Sequence, residues 1–321
     1  MNIKPIIVVA GEPYSVFSEI FFKALKLTRI RKPVLLIASY TLVAAQMKNL
    51  SFNFKINLIN ENNFNLNSLK RGQINLININ FNFKKTFDII SNKSNSYINK
   101  SFEVALKLLE TKKFSGLING PISKKNFLGE RFLGITEYLA FKTGCKNNVA
   151  MLIYNKNLSV SPLTTHLALK DVSKNITKKK IITSVKLISL FYKTKLNKKA
   201  KIGVTGLNPH CESNYKSSEE KRCIKPAIKY LLQKNYQISG PYAADTIFMD
   251  NNLGKYNVIL GMYHDQVLTP AKALFGFNSI NITLGLPFIR ISPDHGPNEK
   301  MQGKNNSNPQ SLIEALKFLD K

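Results

Sequence analysis

Two short apolar runs near the N-terminus constrain the fold of this chain most. Residues 5–10 (PIIVVA) and 33–38 (PVLLIA) are apolar throughout, and a stretch with helical periodicity follows each of them. Strands that are apolar on both faces are typical of parallel sheets covered by helices on both sides. Strand and helix patterns go on alternating along the chain, with no internal repeat and no Gly/Ser/Pro-rich linker. The sequence therefore predicts an α/β protein with a doubly wound sheet.

Periodicity also places the individual elements, except in one stretch. The predicted strands are 5–10, 33–38, 114–118, 149–154, 159–162, 201–206, 256–261 and 279–283. The predicted helices, besides one after 33–38, are 15–26, 101–112, 174–192, 217–233, 264–274 and 309–319. Residues 51–100 hold fourteen Asn and little clear periodicity. This stretch is either an excursion with short strands or partly disordered, and we expect a variable surface region.

The formal net charge of +28 raises the question of a nucleic-acid or acidic-membrane partner. Only six of the 47 basic residues are Arg, although base readout and phosphate forks favour Arg. The many Lys, Asn and Ile residues are those that AT-rich codons encode, and the Lys residues are scattered. We therefore expect no nucleic-acid partner, and the charge can still attract an anionic substrate.

The cellular compartment follows from features that the sequence lacks. No apolar run reaches the ~18 residues that a membrane helix needs, and the N-terminus lacks the long apolar stretch of a signal peptide. The three cysteines, Cys145, Cys211 and Cys223, form no CxxC pair, and their odd number argues against a disulfide framework. We expect a cytoplasmic protein without a membrane partner.

Three of the four histidines follow predicted strands. His166, His210 and His264 come after the strands 159–162, 201–206 and 256–261, which is where open α/β sheets bind ligands. Taken singly, each suits a structural, hydrogen-bonded role. Together, three imidazoles from separate strand ends suit Zn²⁺, Co²⁺ or a similar ion and leave positions open for substrate oxygens. Asp265 is then either an orienting partner of an imidazole or an ordinary solvated acid.

The C-terminal third adds Lys272, Asn281 and Arg290. The two cations could hold a phosphate, or each could be an ordinary surface charge. No G-x-G-x-x-G follows the first strand, and no P-loop or G-x-S-x-G motif is present. A bound dinucleotide would therefore lack the usual glycine-rich turn.

Several motifs occur in an order that resembles that of the 4-hydroxythreonine-4-phosphate dehydrogenases. They are 119–124 (NGPISK), 136–140 (TEYLA), 164–166 (TTH), 206–210 (GLNPH), 240–241 (GP), 244–246 (ADT), 263–266 (YHDQ), 281–287 (NITLGLP), 289–292 (IRIS) and 294–296 (DHG). Apart from the Asn-rich stretch, the order matches from Gly11 to the C-terminus.

The resemblance implies a fold like that of the isocitrate and isopropylmalate dehydrogenases, with two α/β/α subdomains around a cleft. We expect residues 1–125 with 275–321 to form the first subdomain. Residues 126–274 then form the second, which carries the metal ligands. The resemblance also implies a homodimer whose site contains residues of both chains.

The resemblance further implies an activity and a set of site residues. The family oxidises 4-phosphohydroxy-L-threonine with NAD, or alternatively NADP, and the product loses CO₂ to give 3-amino-2-oxopropyl phosphate in pyridoxal phosphate synthesis. A divalent metal (Zn, Mg or Co) is expected at His166, His210 and His264. The expected substrate contacts are Thr136, Lys272, Asn281 and Arg290; the expected cofactor contacts are His295, Gly296 and Asn298. Asp245 and Asp265 are the candidates for the proton acceptor.

The chain departs from the family pattern at several positions. Ile135 replaces a histidine of the segment Gly-His-Thr-Glu, and an isoleucine side chain cannot donate a hydrogen bond. Residues 14–18, 211–215 and 294–298 also differ from the family's usual residues. These differences leave open a sibling dehydrogenase of phosphorylated threonate or erythronate, a decayed copy without activity, and a basic binding protein on an enzyme scaffold.

Overall fold

The computed structural model describes residues 4–62, 64–129, 131–146, 148–211 and 217–321. The chain forms two compact units. The first unit comprises Met1–Ile135 and Phe288–Lys321, and the second comprises Thr136–Pro287. The sequence placed these divisions earlier along the chain, after residues 125 and 274.

The strands and helices alternate along much of the chain. The strands are β1 (Ile6–Val9), β2 (Val34–Ala38), β3 (Ile56–Ile59), β4 (Ile74–Asn78), β5 (Gly116–Asn119), β6 (Ala150–Tyr154), β7 (Ser159–Thr164), β8 (Ile202–Thr205), β9 (Ile238–Tyr242), β10 (Val258–Tyr263), β11 (Ile280–Leu284) and β12 (Arg290–Pro293). The α-helices are α1 (Phe17–Leu27), α2 (Tyr40–Asn49), α3 (Asn95–Glu110), α4 (Ile135–Lys142), α5 (Leu169–Asn175), α6 (Lys178–Lys195), α7 (Lys225–Gln233), α8 (His264–Phe275) and α9 (Gln310–Asp320). Short 3-10 and π turns occur between them.

The strands of the first unit pair in the order β3-β4-β2-β1-β5-β12, and all these neighbours are parallel. Every residue of β1 and β2 is buried, as their continuous apolar sequences predict. Helix α3 packs against β1, β2 and β5, and α9 packs against β1, β5 and β12. The α/β architecture predicted from the sequence is confirmed here.

The Asn-rich stretch contributes more order than a variable surface region would. It contains β3 and β4, and α3 begins at Asn95, six residues before the predicted start at 101. One Asn explains how such a sequence enters a sheet: Asn75 is fully buried in β4. Its Nδ2 donates to Val34 O (3.1 Å) and Lys70 O (2.9 Å), while its Oδ1 accepts from Lys70 N (2.7 Å). The buried amide is stable because its hydrogen bonds replace those to water.

The second unit has a mixed sheet, with the order β11-β6-β7-β10-β8-β9. Strand β6 runs antiparallel to both of its neighbours, whereas β7, β10, β8 and β9 are mutually parallel. The antiparallel strand β6 was not predicted, because the apolar runs indicated only a parallel sheet covered by helices. Apolar composition shows that a strand is buried but does not give the direction of its partner.

Several elements were missed or merged in the sequence prediction. Strand β9 reads ISGPY, and its Gly and Pro argue against a strand. The predicted helix 174–192 covers the end of α5 and most of α6, which are separate helices because the chain is extended at Ile176 and Thr177. The Thr177 side chain accepts from Lys180 N at 3.2 Å and so caps the second of them.

The expectation of a cytoplasmic protein was based in part on the lack of a membrane helix and of a disulfide framework. Within the described ranges, no helix combines the length and apolarity needed to cross a bilayer. Cys145, Cys211 and Cys223 are free thiols, and the last two are buried.

Candidate active site

Two of the predicted metal ligands lie side by side in the second unit. His166 follows β7, and His264 is the first residue of α8, directly after β10. Strands β7 and β10 are parallel neighbours, with Thr164 beside Tyr263. Their carboxyl ends meet at one edge, so the ring centroids of His166 and His264 lie 6.1 Å apart.

This separation is compatible with one ion between the two rings. A histidine nitrogen lies ~2.1 Å from a bound zinc, which puts the centroids of two ligating rings roughly 5 to 6.5 Å apart, depending on the angle at the ion. The observed separation of 6.1 Å falls within that range. One ion between the two rings would need a nitrogen–ion–nitrogen angle of about 140°, wider than the ~110° of a tetrahedral site.

A carboxylate orients one of the two rings. His264 Nδ1 lies 2.6 Å from Asp265 Oδ1, although most of the Asp265 side chain is exposed. This contact favours the tautomer that carries the proton on Nδ1 and a lone pair on Nε2. Asp265 thus suits an orienting role better than that of a proton acceptor. Asp245, the other candidate acid, is an exposed residue in the turn after β9.

His210 is not drawn into the same cluster. It lies in a short helical turn after β8, is exposed, and has a left-handed backbone with φ 57°. No group of three or more His, Cys, Asp or Glu side chains within the described residues is arranged to hold a metal. The structure therefore brings two of the three predicted ligands together within one chain.

Two predicted substrate contacts share a region of the second unit. Thr136, near the start of α4, is buried, and its Oγ1 lies 3.3 Å from Thr283 Oγ1. Asn281 lies two residues before Thr283 on β11, so both side chains are on one face of the sheet. Asn281 Oδ1 is buried and accepts no hydrogen bond from any described residue. A buried amide oxygen in this state is suited to accept a hydrogen bond from a ligand.

The two predicted phosphate-binding cations differ in their surroundings. Lys272, near the end of α8, is an exposed residue whose Nζ lies 5.6 Å from the Phe277 ring centroid. Partial desolvation of the amine still lowers the pKa of Lys272. Arg290 belongs to the first unit and is fully buried, where its Nε donates to Asn119 Oδ1 at 2.7 Å. The role of Arg290 in substrate binding stays a prediction.

The predicted cofactor loop lies in the first unit. Asn298 has a left-handed backbone (φ 51°), and a Cβ added at Gly296 would meet no described atom within 4 Å. His295 N donates to Pro293 O at 2.9 Å, and Pro297 O accepts from Val16 N at 3.1 Å. The loop is therefore anchored to the segment before α1, and Gly296 leaves open space beside it.

A buried carboxyl lies in that N-terminal segment. Glu12 follows Gly11, is 1% exposed, and accepts from Ser94 Oγ at 3.1 Å through Oε2. Burial raises the pKa of Glu12 to about 7, despite the lowering effect of the Ser94 hydrogen bond. Gly11 is required here, because it has φ 76° and a Cβ would lie 2.5 Å from Pro121 O.

Comparison with known proteins identifies the family to which these sites belong. The family model described as "Pyridoxal phosphate biosynthetic protein PdxA" matches residues 29–319. The chain belongs to this family. The resemblance found in the motifs is thereby confirmed.

Relatives within the PdxA family match nearly the whole chain. The 4-hydroxythreonine-4-phosphate dehydrogenase of Sulfurihydrogenibium sp. is 37% identical over 316 residues, which cover 97% of this chain and 96% of the relative. The enzyme of the same name from Wigglesworthia glossinidia brevipalpis is 33% identical, with 98% and 95% covered.

Solved structures agree with the family and with the expected fold. The structure of 4-hydroxythreonine-4-phosphate dehydrogenase from Klebsiella pneumoniae has a TM-score of 0.84 at 25% identity and covers 98% of each chain. Isocitrate dehydrogenase from Methylococcus capsulatus has a TM-score of 0.50 at 8% identity, covering 97% of this chain and 83% of its own, and shows the fold alone. The isocitrate dehydrogenase-like α/β fold is therefore confirmed for this PdxA family member.

Several polar residues around these sites had no predicted role. Asn119 contacts Arg290, and Thr283 contacts Thr136. Gln266 lies between two of the segments that carry predicted metal ligands. Asn119 and Gln266 are part of the motifs that carry the resemblance, but a motif does not indicate which partner a side chain contacts.

Proposed function

We propose that this protein oxidises 4-phosphohydroxy-L-threonine with NAD, and that the product loses CO₂ to give 3-amino-2-oxopropyl phosphate in pyridoxal phosphate synthesis. One observation carries the proposal. In a chain that matches dehydrogenases of that name along nearly its whole length, His166 and His264 lie 6.1 Å apart at the carboxyl ends of adjacent strands. This is the edge where open α/β sheets bind their ligands.

The proposed metal is Zn, Mg or Co, held by His166 and His264 and completed by His210. When bound, it supplies Lewis-acid stabilisation of the negative charge that develops on the substrate oxygen. Asp265 holds His264 with its Nδ1 protonated, which leaves Nε2 available as the donor atom. His295, Gly296 and Asn298 are proposed to hold NAD, which would supply the hydride acceptor.

The remaining residues of the second unit hold the substrate in place. The hydroxyl of Thr136 and the amide of Asn281 are proposed to hydrogen-bond to it, and the ammonium of Lys272 is proposed to contact its phosphate. Fixing both ends of the substrate would align the reacting carbon with the cofactor, which lowers the barrier without further chemistry. Partial desolvation lowers the pKa of the Lys272 amine.

The proposal is tested by measuring NADH formation at 340 nm with the purified protein. We expect turnover with 4-phosphohydroxy-L-threonine, NAD and a divalent ion, and loss of turnover on chelation. His264→Ala should abolish the rate, while Lys186→Ala, at an exposed position of helix α6, is the matched control. Absence of turnover by a folded protein with every ion tested would refute the proposal. Faster turnover of phosphorylated threonate or erythronate would assign the sibling activity instead.

A homodimer is part of the proposal, because His210 is exposed and does not cluster with the other two histidines. The folded variants His166→Ala and His210→Ala would each be inactive if the three ligands form one site. Mixing and re-equilibrating them tests whether the ligands come from both chains. If they do, the mixed dimer contains one intact site, and about a quarter of wild-type activity should return. No recovery would place all three ligands on the same chain.

Ile135 allows a test of the departure from the family pattern. Restoring a donor with Ile135→His should raise kcat/KM by roughly tenfold or more, because a hydrogen bond to a charged group contributes about 1.5–3 kcal/mol. Ile135→Leu is the matched control, since it changes shape without adding a donor. Equal rates for both variants would show that position 135 does not contact the substrate in this chain.

A further inference from the structure

We propose that Gln266 is a positioning residue that fixes the segments bearing His210 and His264 relative to each other; this rests on the proposed metal site. Gln266 Oε1 accepts from Met262 N (2.7 Å) and from Thr205 Oγ1 (2.8 Å), and its Nε2 donates to Gly206 O (2.8 Å). One side-chain amide thus connects strand β10 to the end of β8 and the loop after it.

These contacts of Gln266 lie close in sequence to the predicted metal ligands. It lies two residues after His264 in the first turn of α8, and Gly206 lies four residues before His210. Met262, which it also contacts, accepts through its carbonyl from Thr164 Oγ1 (2.7 Å), two residues before His166. All three histidine-bearing segments are therefore connected through two side chains, Gln266 and Thr164.

A second set of contacts holds residues 207–208, which lie between Gly206 and His210. Glu220 Oε1 accepts from Leu207 N (2.8 Å) and Asn208 N (2.9 Å), and Glu220 Oε2 accepts from Asn208 Nδ2 (2.9 Å). Glu219 accepts from the same Asn208 amide at 3.1 Å and also from Ser173 Oγ. Gln266 therefore holds Gly206, and the carboxylates of Glu219 and Glu220 hold the next two residues on the way to His210.

The three hydrogen bonds made at position 266 require a glutamine side chain. The position needs an oxygen that accepts two hydrogen bonds and a nitrogen that donates one, and a carboxamide of this length provides both. Asparagine is one methylene shorter, and glutamate would present an oxygen to the Gly206 carbonyl. Loss of groups that orient metal ligands typically weakens metal affinity 10- to 100-fold.

The test compares the full-length variants Gln266→Met and Thr205→Val with the wild-type protein. Gln266→Met keeps the side-chain volume and removes all three hydrogen bonds, whereas Thr205→Val removes one. Gln46→Met is the matched control, because Gln46 is buried in the first unit and its Nε2 donates to Pro13 O (3.0 Å) and Thr86 O (3.2 Å). The measurements are Zn²⁺ and Co²⁺ dissociation constants, the d–d spectrum of bound Co²⁺, and peptide-level hydrogen exchange.

We expect the metal dissociation constant to rise roughly 10- to 100-fold in Gln266→Met and by less in Thr205→Val, with a changed Co²⁺ spectrum. Hydrogen exchange in the peptides that contain Met262 and residues 206–210 should be roughly two- to tenfold faster. In Gln46→Met, metal affinity should stay at the wild-type value even if the protein is less stable.

Unchanged metal affinity in a folded Gln266→Met variant would overturn the inference. If that variant does not fold, Thr205→Val carries the same test with a single bond removed. A wild-type protein that binds neither ion would instead refute the metal part of the proposed function. Hydrogen exchange would then still decide the inference, since unaltered exchange near Met262 and residues 206–210 would show that Gln266 does not fix these segments.

Discussion

Two buried carboxyl groups, one in each unit, have pKa values that are shifted in opposite directions. Glu12 and Glu220 are each 1% exposed. Glu12 has one side-chain hydrogen bond, from Ser94, and its Oε1 accepts none from any described residue, so burial raises its pKa to about 7. Burial also works to raise the pKa of Glu220, but hydrogen bonds from Asn208 and Leu207 together outweigh it and lower the pKa.

The comparison shows that the hydrogen-bond donors around a buried acid, together with the extent of its burial, decide whether it is charged. Glu220 remains a carboxylate and organises the backbone that leads to His210. Glu12, beside the segment that anchors the predicted cofactor loop, is a carboxyl that gains and loses its proton near neutral pH. The second unit thus keeps a fixed charge near its site, and the first unit has a titrating one.

The largest expected effect is on stability, from removing Glu220, which has more donors than Glu12. Glu220→Ala leaves the Leu207 and Asn208 donors without their acceptor, and we expect a loss of about 4 kcal/mol in the free energy of unfolding. Chemical denaturation at pH 7.5 measures it. A loss below about 1 kcal/mol would contradict the view that these hydrogen bonds outweigh the cost of burial.

Glu12→Gln tests the other side of the comparison through its pH dependence. Because the folded pKa of about 7 lies above the ordinary glutamate value of 4.5, the folded state binds the proton more tightly. This contribution to stability is complete below pH 4.5 and is lost as the pH rises through about 7. Glu12→Gln should therefore be more stable relative to wild type at pH 8 than at pH 5, by about 2 to 3 kcal/mol. A pH-independent difference would contradict the raised pKa.

A smaller effect on stability is expected at Asn119, whose neutral side chain accepts a hydrogen bond from the buried cation Arg290. Asn119→Ala removes the oxygen that accepts from Arg290 Nε at 2.7 Å. We expect the free energy of unfolding to fall by about 2 kcal/mol, the typical value for a hydrogen bond to a charged group. Asn119→Asp is the informative partner variant, because it keeps an acceptor and should recover much of the loss. Equal losses in both variants would show that the hydrogen bond does not account for the effect.

The smallest expected effect is at a pair of neutral hydroxyls. Thr283→Val keeps the shape of the side chain but removes the contact with Thr136 Oγ1 at 3.3 Å. We expect a loss of about 1 kcal/mol in the free energy of unfolding. In the assay of NADH formation, KM for the substrate should rise more than kcat falls, because Thr136 is a proposed binding group. A change in kcat alone would argue against that role.

Much of the fold could be predicted from the sequence because the core strands are continuously apolar. The strands β1 and β2 were placed to within a residue or two, since few other structures bury such runs. Strands β9 and β12 were missed, because they contain Gly, Pro or Arg and are stabilised by their neighbours in the sheet. The antiparallel direction of β6 was not predicted, since strand direction depends on the path of the chain between strands.

The candidate site was predicted through separate residues, and only part of its arrangement followed. His166 and His264 could be grouped because both follow predicted strands, but only the structure shows that β7 and β10 are parallel neighbours. His210 follows a strand as well, yet a left-handed backbone in its turn leaves it exposed. Local backbone geometry of this kind is set by contacts such as those of Glu220 and is not encoded in residue spacing.

The sequence by itself determined the family, the α/β fold and the identity of the chemical side chains, because these depend on residue type, periodicity and motif order. The tertiary structure alone decided that Gln266 connects the histidine-bearing segments, that Glu220 stays charged, and that Glu12 titrates near neutral pH. Each of these properties depends on which donors and acceptors meet within about 3 Å, and residues far apart in sequence reach that distance only when the chain has folded.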